Sequence, residues 1–555
     1  MLQHGGHLPA GSHHPSEPMM HTTPRPSRTA KRRSRLPRHC AWLFLLLVAA
    51  ADLRANNVQV SNIALTGQNT ASDFTMVRFD IGWENSWRTS TLESNWDAAW
   101  VFVKYRRTSE NIWNHALLNN TGHNAPAGCT ITPGVMNTSL PFAAATNPAV
   151  GAFIHRSADG IGNINFANVQ LRWNYGANGL ADFDSVEVCV FAIEMVLVPQ
   201  GAFWVGDEIF PGSNSSGRFV AGSTTTNFQV TSEATLTIGN TAPTELWGTG
   251  TNWNNTIGPA GSLPAAFPKG FGTFYLMKYE VSQLLYREFL NKLTRAQQVA
   301  RVSAVSLGIF MRDNNTGTTP THRNGIKVMT DPGENTPRVY GNDLNNNGIE
   351  GESGDGQHIA CNFLSYEDAR SFADWCGLRP YSELEYEKAC RGTLNPVTNE
   401  SAWGNTNVAY ATSIANAGQP TERAGNTGSN CVFNSAGGVQ GPLRCGSFAG
   451  PTTTRELAGA GYYGAMELSG NLFEYCLSVG VTTQRTLNRH IHGNGFLPAW
   501  GTADATWPTD CGLRGGSWVA TGTSNHQTSD RQSANTQNSS QRIREYGVRL
   551  ARTDP

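Results

Sequence analysis

Asp343, Asn345 and Asn347 alternate along one short stretch, with Gly348 and Ile349 directly after them. Oxygen donors at the first, third and fifth positions, a glycine at the sixth and a carbonyl at the seventh make the front half of a calcium loop. Carboxylate, amide and carbonyl oxygens are what a hard cation prefers. The twelfth position is Gly354, so a bidentate carboxylate would have to come from Glu350, Glu352 or Asp355. The competing reading is a solvated Asn/Gly turn. His490 and His492 would share a strand face and reach a transition metal together, but no third ligand is identifiable and ordinary histidines fit better. No GxSxG, HExxH, phosphate-loop or CxxC pattern occurs.

These residues sit in a chain of 555 residues and 60.0 kDa, long enough for several domains. Charged residues make up 15% and the formal net charge is −1, which excludes a polyanion binder driven by bulk charge, so no nucleic-acid partner is expected. A hydrophobic fraction of 39% with 15 Trp excludes wholesale disorder. Near the N-terminus, Lys31, Arg32, Arg33, Arg35 and Arg38 precede the apolar run Ala41–Ala51, the layout of a secretory signal and too short for a spanning helix. Residues 1–55 are therefore read as an export segment, with cleavage near Ala51 or Ala55. The expected location is outside the cell or on its surface, with the periplasm as the alternative, and no membrane span remains after signal removal. Without that segment the chain carries 33 basic and 40 acidic residues, a formal −7. Nine cysteines remain, and in an oxidising compartment most should pair.

What must position such residues is legible as two kinds of pattern. From 56 to 192 the period is two: Val77, Phe79, Ile81 and Trp83 alternate with polar or small neighbours, as do Val169, Leu171 and Trp173. Several such strands without helical spacing predict an all-β sandwich domain. Cys129 and Cys189 are its two cysteines, and a bridge between them is open. Trp83, Trp87, Trp96, Trp100 and Trp113 are read as core and inter-sheet packing, with a carbohydrate platform as the alternative. From 193 to 555 the pattern changes. A long insertion or β-rich loop is expected at 208–270, a second inserted loop region at 303–360, and short helices after Ser282, Ser365 and Ser382. Asp368 and Glu385, three residues after their serines, complete two capping boxes.

The blocks MVLVPQGAFWVGD (195–207), FYLMKYEVSQLLYREFLNKL (274–293), LSYEDARSFADWCGLRPYSELEYEKACRG (364–392), YYGAMELSGNLFEYC (462–476), LRGGSW (513–518) and YGVRLAR (546–552) occur in the order found in the formylglycine-generating enzyme, or sulfatase-modifying factor, family. The chain resembles that family over roughly 193–555. The resemblance implies an α+β, C-type lectin-like fold for this part, preceded by the all-β sandwich. It also implies two copper-binding cysteines, five apart, after the Gly515-Gly516-Ser517 block, but those positions hold Ala520 and Asn525. Thiolates are soft ligands and nucleophiles, and neither alanine nor asparagine replaces them, so no copper is expected. A related branch with a histidine-bound non-haem iron is unsupported too, since no His-x3-His-x-Glu occurs. The family's structural calcium implies Asn471 and Glu474 as ligands. Cys376 and Cys390 match family cysteines, while new pairings would be needed among Cys431, Cys445, Cys476 and Cys511.

The chain is thus expected to be an exported, catalytically degenerate relative holding structural calcium. It would act in recognition or assembly at the cell surface, on an extracellular protein, a glycan or copies of itself. The alternatives are an enzyme of altered oxidoreductase or hydrolase chemistry, and a structural subunit of an extracellular assembly.

Overall fold

The computed structural model describes residues 57–554, apart from 141–146, 208–216, 314–316, 504–505, 522–523 and 536–539. The export segment read at residues 1–55 lies outside the described residues. The fold is mostly β, with four α-helices among the described residues. No helix there is long and apolar enough to cross a membrane.

Two sheets carry the alternating segments. One has three strands in the order Gln59–Asn69, Phe74–Arg88, Gly160–Trp173, all antiparallel. The other runs Ala551–Thr553, Phe274–Met277, Val186–Val198, Asp97–Arg107, Ala149–Arg156, Cys129–Val135, with Asn114–His115 beside Asp97–Arg107. Val77, Phe79, Ile81 and Trp83 of the first face Ala99, Val101, Val103 and Ile154 of the second across one core. Leu118 pairs with both Ala149 and Trp173 and so joins the sheets at one corner.

The second sheet is buried on both faces. Trp100, Phe102, Phe153, Phe191 and Ile193 form its other side and pack against Phe372 and Trp375 of the helix Tyr366–Cys376. Asp97–Arg107 accordingly shows nine consecutive buried residues rather than the alternation of a half-exposed strand. The border drawn at 192/193 falls inside Val186–Val198, which pairs with Asp97–Arg107 on one side and, through Met195–Val198, with Phe274–Met277 on the other. The described residues accordingly fall within one compact unit.

The helix starts follow local chemistry. Ser365 and Asp368, and Ser382 and Glu385, form reciprocal capping boxes at the helices Tyr366–Cys376 and Glu383–Arg391. Ser282 Oγ accepts from Leu285 N at the start of Gln283–Leu290. That helix stops before Leu293, because Thr294 and Gln297 form a third capping box that opens a separate helix, Arg295–Arg301. The described part of the stretch 208–270 is β-rich. It adds a sheet of Phe219–Ala221, Leu246–Gly248, Leu236–Ile238 and Gly261–Leu263, and Phe228–Val230 pairs with Phe203–Val205. Within 303–360, Ile326–Thr330 pairs with Val339–Asn342.

No disulfide of the expected kind is present among the nine described cysteines, all of which are buried. For Cys129 and Cys189 the sheet order gives the reason. Two strands separate theirs, so they lie on the order of 14 Å apart at the usual strand spacing, beyond the roughly 7 Å Cα limit of a disulfide.

Candidate functional site

The Gly-Gly-Ser block lies at the end of the strand Gly512–Arg514, which pairs with Phe473–Cys476. Gly515 and Gly516 take positive φ, 91° and 73°. A Cβ on Gly516 would stand 2.9 Å from the Phe433 ring and 3.1 Å from the Asn525 main chain, so the position needs glycine. Gly470 N donates to Gly515 O at 2.7 Å and Trp518 N to Asn471 O at 2.8 Å, which fastens this turn to the 470–471 block.

Ser517 is fully buried. Ala520 packs into an apolar cluster with Trp403, Cys431 and Phe433. Asn525 is half-buried, and its Nδ2 donates to Gln532 at 2.8 Å. Cys431 is the thiol of this cluster. Its Sγ donates to Ser469 O at 3.3 Å, and burial pushes its pKa far above the ordinary thiol value. It is a neutral thiol rather than a thiolate, so it replaces neither missing cysteine as copper ligand or nucleophile. The residues present do not fit copper.

Sequence reasoning missed a neighbouring pair. Ser401 Oγ and His526 Nδ1 are 3.0 Å apart, and both residues are buried. Burial lowers the His526 pKa, partly opposed by the charge of Asp530, and Ser469 Oγ donates to the His526 carbonyl at 2.6 Å. A serine beside a neutral imidazole is the beginning of a nucleophile–base pair. Ser401, however, is 1% exposed, which puts its hydroxyl out of reach of a solvent-borne substrate.

Asn471 and Glu474 lie in one chain segment but serve different partners. Asn471 Oδ1 accepts from Leu443 N at 2.9 Å, and its amide donates to Glu280. Glu474 accepts from Tyr381 OH at 2.7 Å and from Arg549 Nε at 2.8 Å. The acceptor oxygens of Asn471 and Glu474 are thus turned to protein donors on different elements rather than to one common point. Glu280, Glu467 and Arg549 complete this buried group. Burial, then the charges of Glu474 and Glu467, hold the Glu280 pKa well above the ordinary carboxyl value. Burial pushes Glu467 up to about 7. Nothing local marks these partners, since Glu280 and Asn471 are 191 residues apart.

His490 and His492 do not converge on a metal. Thr138 Oγ1 contacts His490 Nδ1 at 2.7 Å, and His492 Nε2 accepts from Thr553 N at 3.1 Å. Among the described residues no group of three or more His, Cys, Asp or Glu side chains is arranged to hold a metal ion. Asp343, Asn345 and Asn347 do fall in one loop, directly after the strand Val339–Asn342.

The early tryptophans separate as well. Trp83 and Trp100 are core residues, whereas Trp87 is half-buried in the wall of a cleft of about 370 Å³. Tyr279, Tyr462, Glu84, Lys278 and Arg455 also line it. Lys278 Nζ lies 5.1 Å from the Trp87 ring centre and 5.4 Å from that of Tyr279. That ammonium is held from behind by Glu194 at 3.1 Å and Asp97 at 3.7 Å. Arg455 is tied to the carbonyls of Cys390 and Ala402, both at 2.7 Å. The cleft therefore presents aromatic rings beside cations that the fold already holds in place.

A family model described as the sulfatase-modifying factor enzyme 1-like domain matches residues 188–554, beginning inside the strand Val186–Val198. No curated protein matches the chain.

Proposed function

The chain belongs to the sulfatase-modifying factor enzyme 1-like family, and from that membership we propose that it is an exported, catalytically degenerate member acting in recognition or assembly at the cell surface. In this reading a β-sandwich is fused to a C-type lectin-like scaffold, and the pair presents a ligand cleft in place of an oxidase site. The observation that carries it is the side-chain chemistry at two positions. Ala520 offers a methyl group inside an apolar cluster and Asn525 an amide bound to Gln532, where the resemblance calls for two thiolates.

The ligand side of the reading rests on the cleft bearing Trp87, Tyr279 and Tyr462. Ring faces beside fixed polar groups suit a sugar ring or a short peptide, which presents one apolar face and a polar rim. A glycan array probed with the purified chain tests this. Binding that falls at least tenfold in Trp87→Ala is expected; a ligand bound equally by that variant overturns the placement in this cleft.

Oxygen consumption with a cysteine-bearing peptide and added copper tests the degeneracy. No turnover above buffer is expected, and robust copper-dependent turnover overturns it. A second reading, hydrolysis, draws on the 3.0 Å contact between Ser401 and His526 and requires the packing over the buried Ser401 hydroxyl to open. Activity toward ester probes that disappears in Ser401→Ala would establish it.

A further inference from the structure

The loop after Val339–Asn342 carries two buried carboxylates with unequal fates. Asp343 is fully saturated: its oxygens accept from Asn347 N at 2.9 Å, Gly348 N at 3.1 Å and Lys327 Nζ at 2.6 Å. Asn345 Oδ1 also accepts from Asn347 N, at 3.0 Å. The chain then returns through Glu352 to Asp355, whose carbonyl accepts from Leu344 N at 3.4 Å. Asp355 Oδ2 accepts from Glu352 N at 2.7 Å. Its other oxygen, Oδ1, is buried and has no hydrogen-bond partner among the described residues. Asp355 itself is 0% exposed.

A buried carboxylate oxygen without a partner is costly, and it is retained where a proton or a cation completes it. One ammonium, Lys327, faces this group, on the Asp343 side and also 3.3 Å from Asn346 Oδ1. The loop's remaining donors are all oxygens, with no imidazole or thiolate, which selects a hard cation over a transition metal. Gly348 at φ 84° makes the sharp turn that lets such a loop wrap an ion.

We propose that residues 343–355 form a calcium site in which the side-chain oxygens of Asp343, Asn345, Asn347 and Asp355 and the carbonyl of Ile349 are the ligands. Asp355 takes the closing role that Gly354 cannot fill. Calcium is favoured over magnesium because an irregular set mixing amide, carbonyl and carboxylate oxygens suits its flexible coordination and not a strict octahedron. Lys327 holds the Asp343 carboxylate until the ion displaces it.

Calorimetric titration of the chelator-treated full chain with calcium chloride, and separately with magnesium chloride, tests the site. Calcium uptake with a Kd on the order of 10⁻⁴ to 10⁻³ M is expected, as for extracellular modules. Asp355→Asn and the exposed Asn345→Ala should each weaken it at least tenfold. Hydrogen exchange supplies a readout without binding heats: amides of 343–355 should slow with calcium in the parent chain and not in Asp355→Asn. Absence of calcium uptake up to about 10 mM, equal uptake of magnesium, or variants that bind like the parent would each overturn the proposal. Asn345→Ala keeps the test decisive should Asp355→Asn fail to fold.

Discussion

Lys104, in the strand Asp97–Arg107, donates from Nζ to the carbonyl of Trp375 at 2.7 Å, across the interface between the larger sheet and the helix Tyr366–Cys376. The same ammonium reaches Gly495 O at 2.6 Å and lies 4.6 Å from the Trp375 ring centre. Burial holds its pKa well below the ordinary lysine value. One side chain from before the family-matched region thus satisfies two carbonyls within it, and that region also covers the sheet face bearing Trp100 and Phe102.

Replacing this lysine tests that dependence. Lys104→Met preserves the aliphatic stem but leaves two buried carbonyls without their donor, each costing about 1–3 kcal/mol. A single urea transition shifted to lower midpoint is expected for the whole chain. Two separate transitions, with only one displaced, would mean that the parts fold independently.

Glu467 makes stability depend on pH near neutrality. Its folded pKa of about 7 lies above the ordinary glutamate value of 4.5, so the folded state binds more protons between those values. The stabilisation is fully present below 4.5 and is lost as pH rises through about 7, a change on the order of 3 kcal/mol. Glu467→Gln keeps a neutral group at the position. Urea midpoints at pH 5, 6, 7 and 8 should fall in the parent chain and fall less steeply in the variant, where Glu280 still titrates; parallel curves would count against Glu467 as a source.

Glu383 joins two guanidinium groups at the centre of the family-matched region. Its oxygens accept from Arg514 Nη1 at 2.8 Å, Arg531 Nε at 2.7 Å and Val479 N at 2.8 Å, all fully or nearly fully buried. Burial alone would raise its pKa, but Arg531 and Arg514 outweigh it and hold the carboxyl below its ordinary value. Glu383→Gln strands positive charge in the core and should cost roughly 3–5 kcal/mol. Thermal unfolding reads this directly, and a loss below about 1 kcal/mol would show that Glu387, which also pairs with Arg514, suffices.

Ser401→Ala distinguishes a structural contact from a reactive one. Losing the hydroxyl beside His526 should lower stability by about 1–3 kcal/mol while glycan-array binding stays unchanged. Loss of binding at unchanged stability would place Ser401 at the ligand.

Sequence alone determined whatever depends on residues three or four apart, or on alternate residues. Ser365 with Asp368 and Ser382 with Glu385 announce their helices because the capping partner is within one turn. The alternation of Val77, Phe79, Ile81 and Trp83 marks one strand face, and the types at 520 and 525 exclude thiolate chemistry there. Tertiary structure decided the rest, because spacing states which residues share a face and not what covers it. Asp97–Arg107 is covered on both sides, the border expected at 192/193 lies mid-strand, and Cys129 and Cys189 are kept apart by two intervening strands. Asn471 found Glu280 and Glu474 found Arg549 across 191 and 75 residues, where only chain packing brings such charges and amides together.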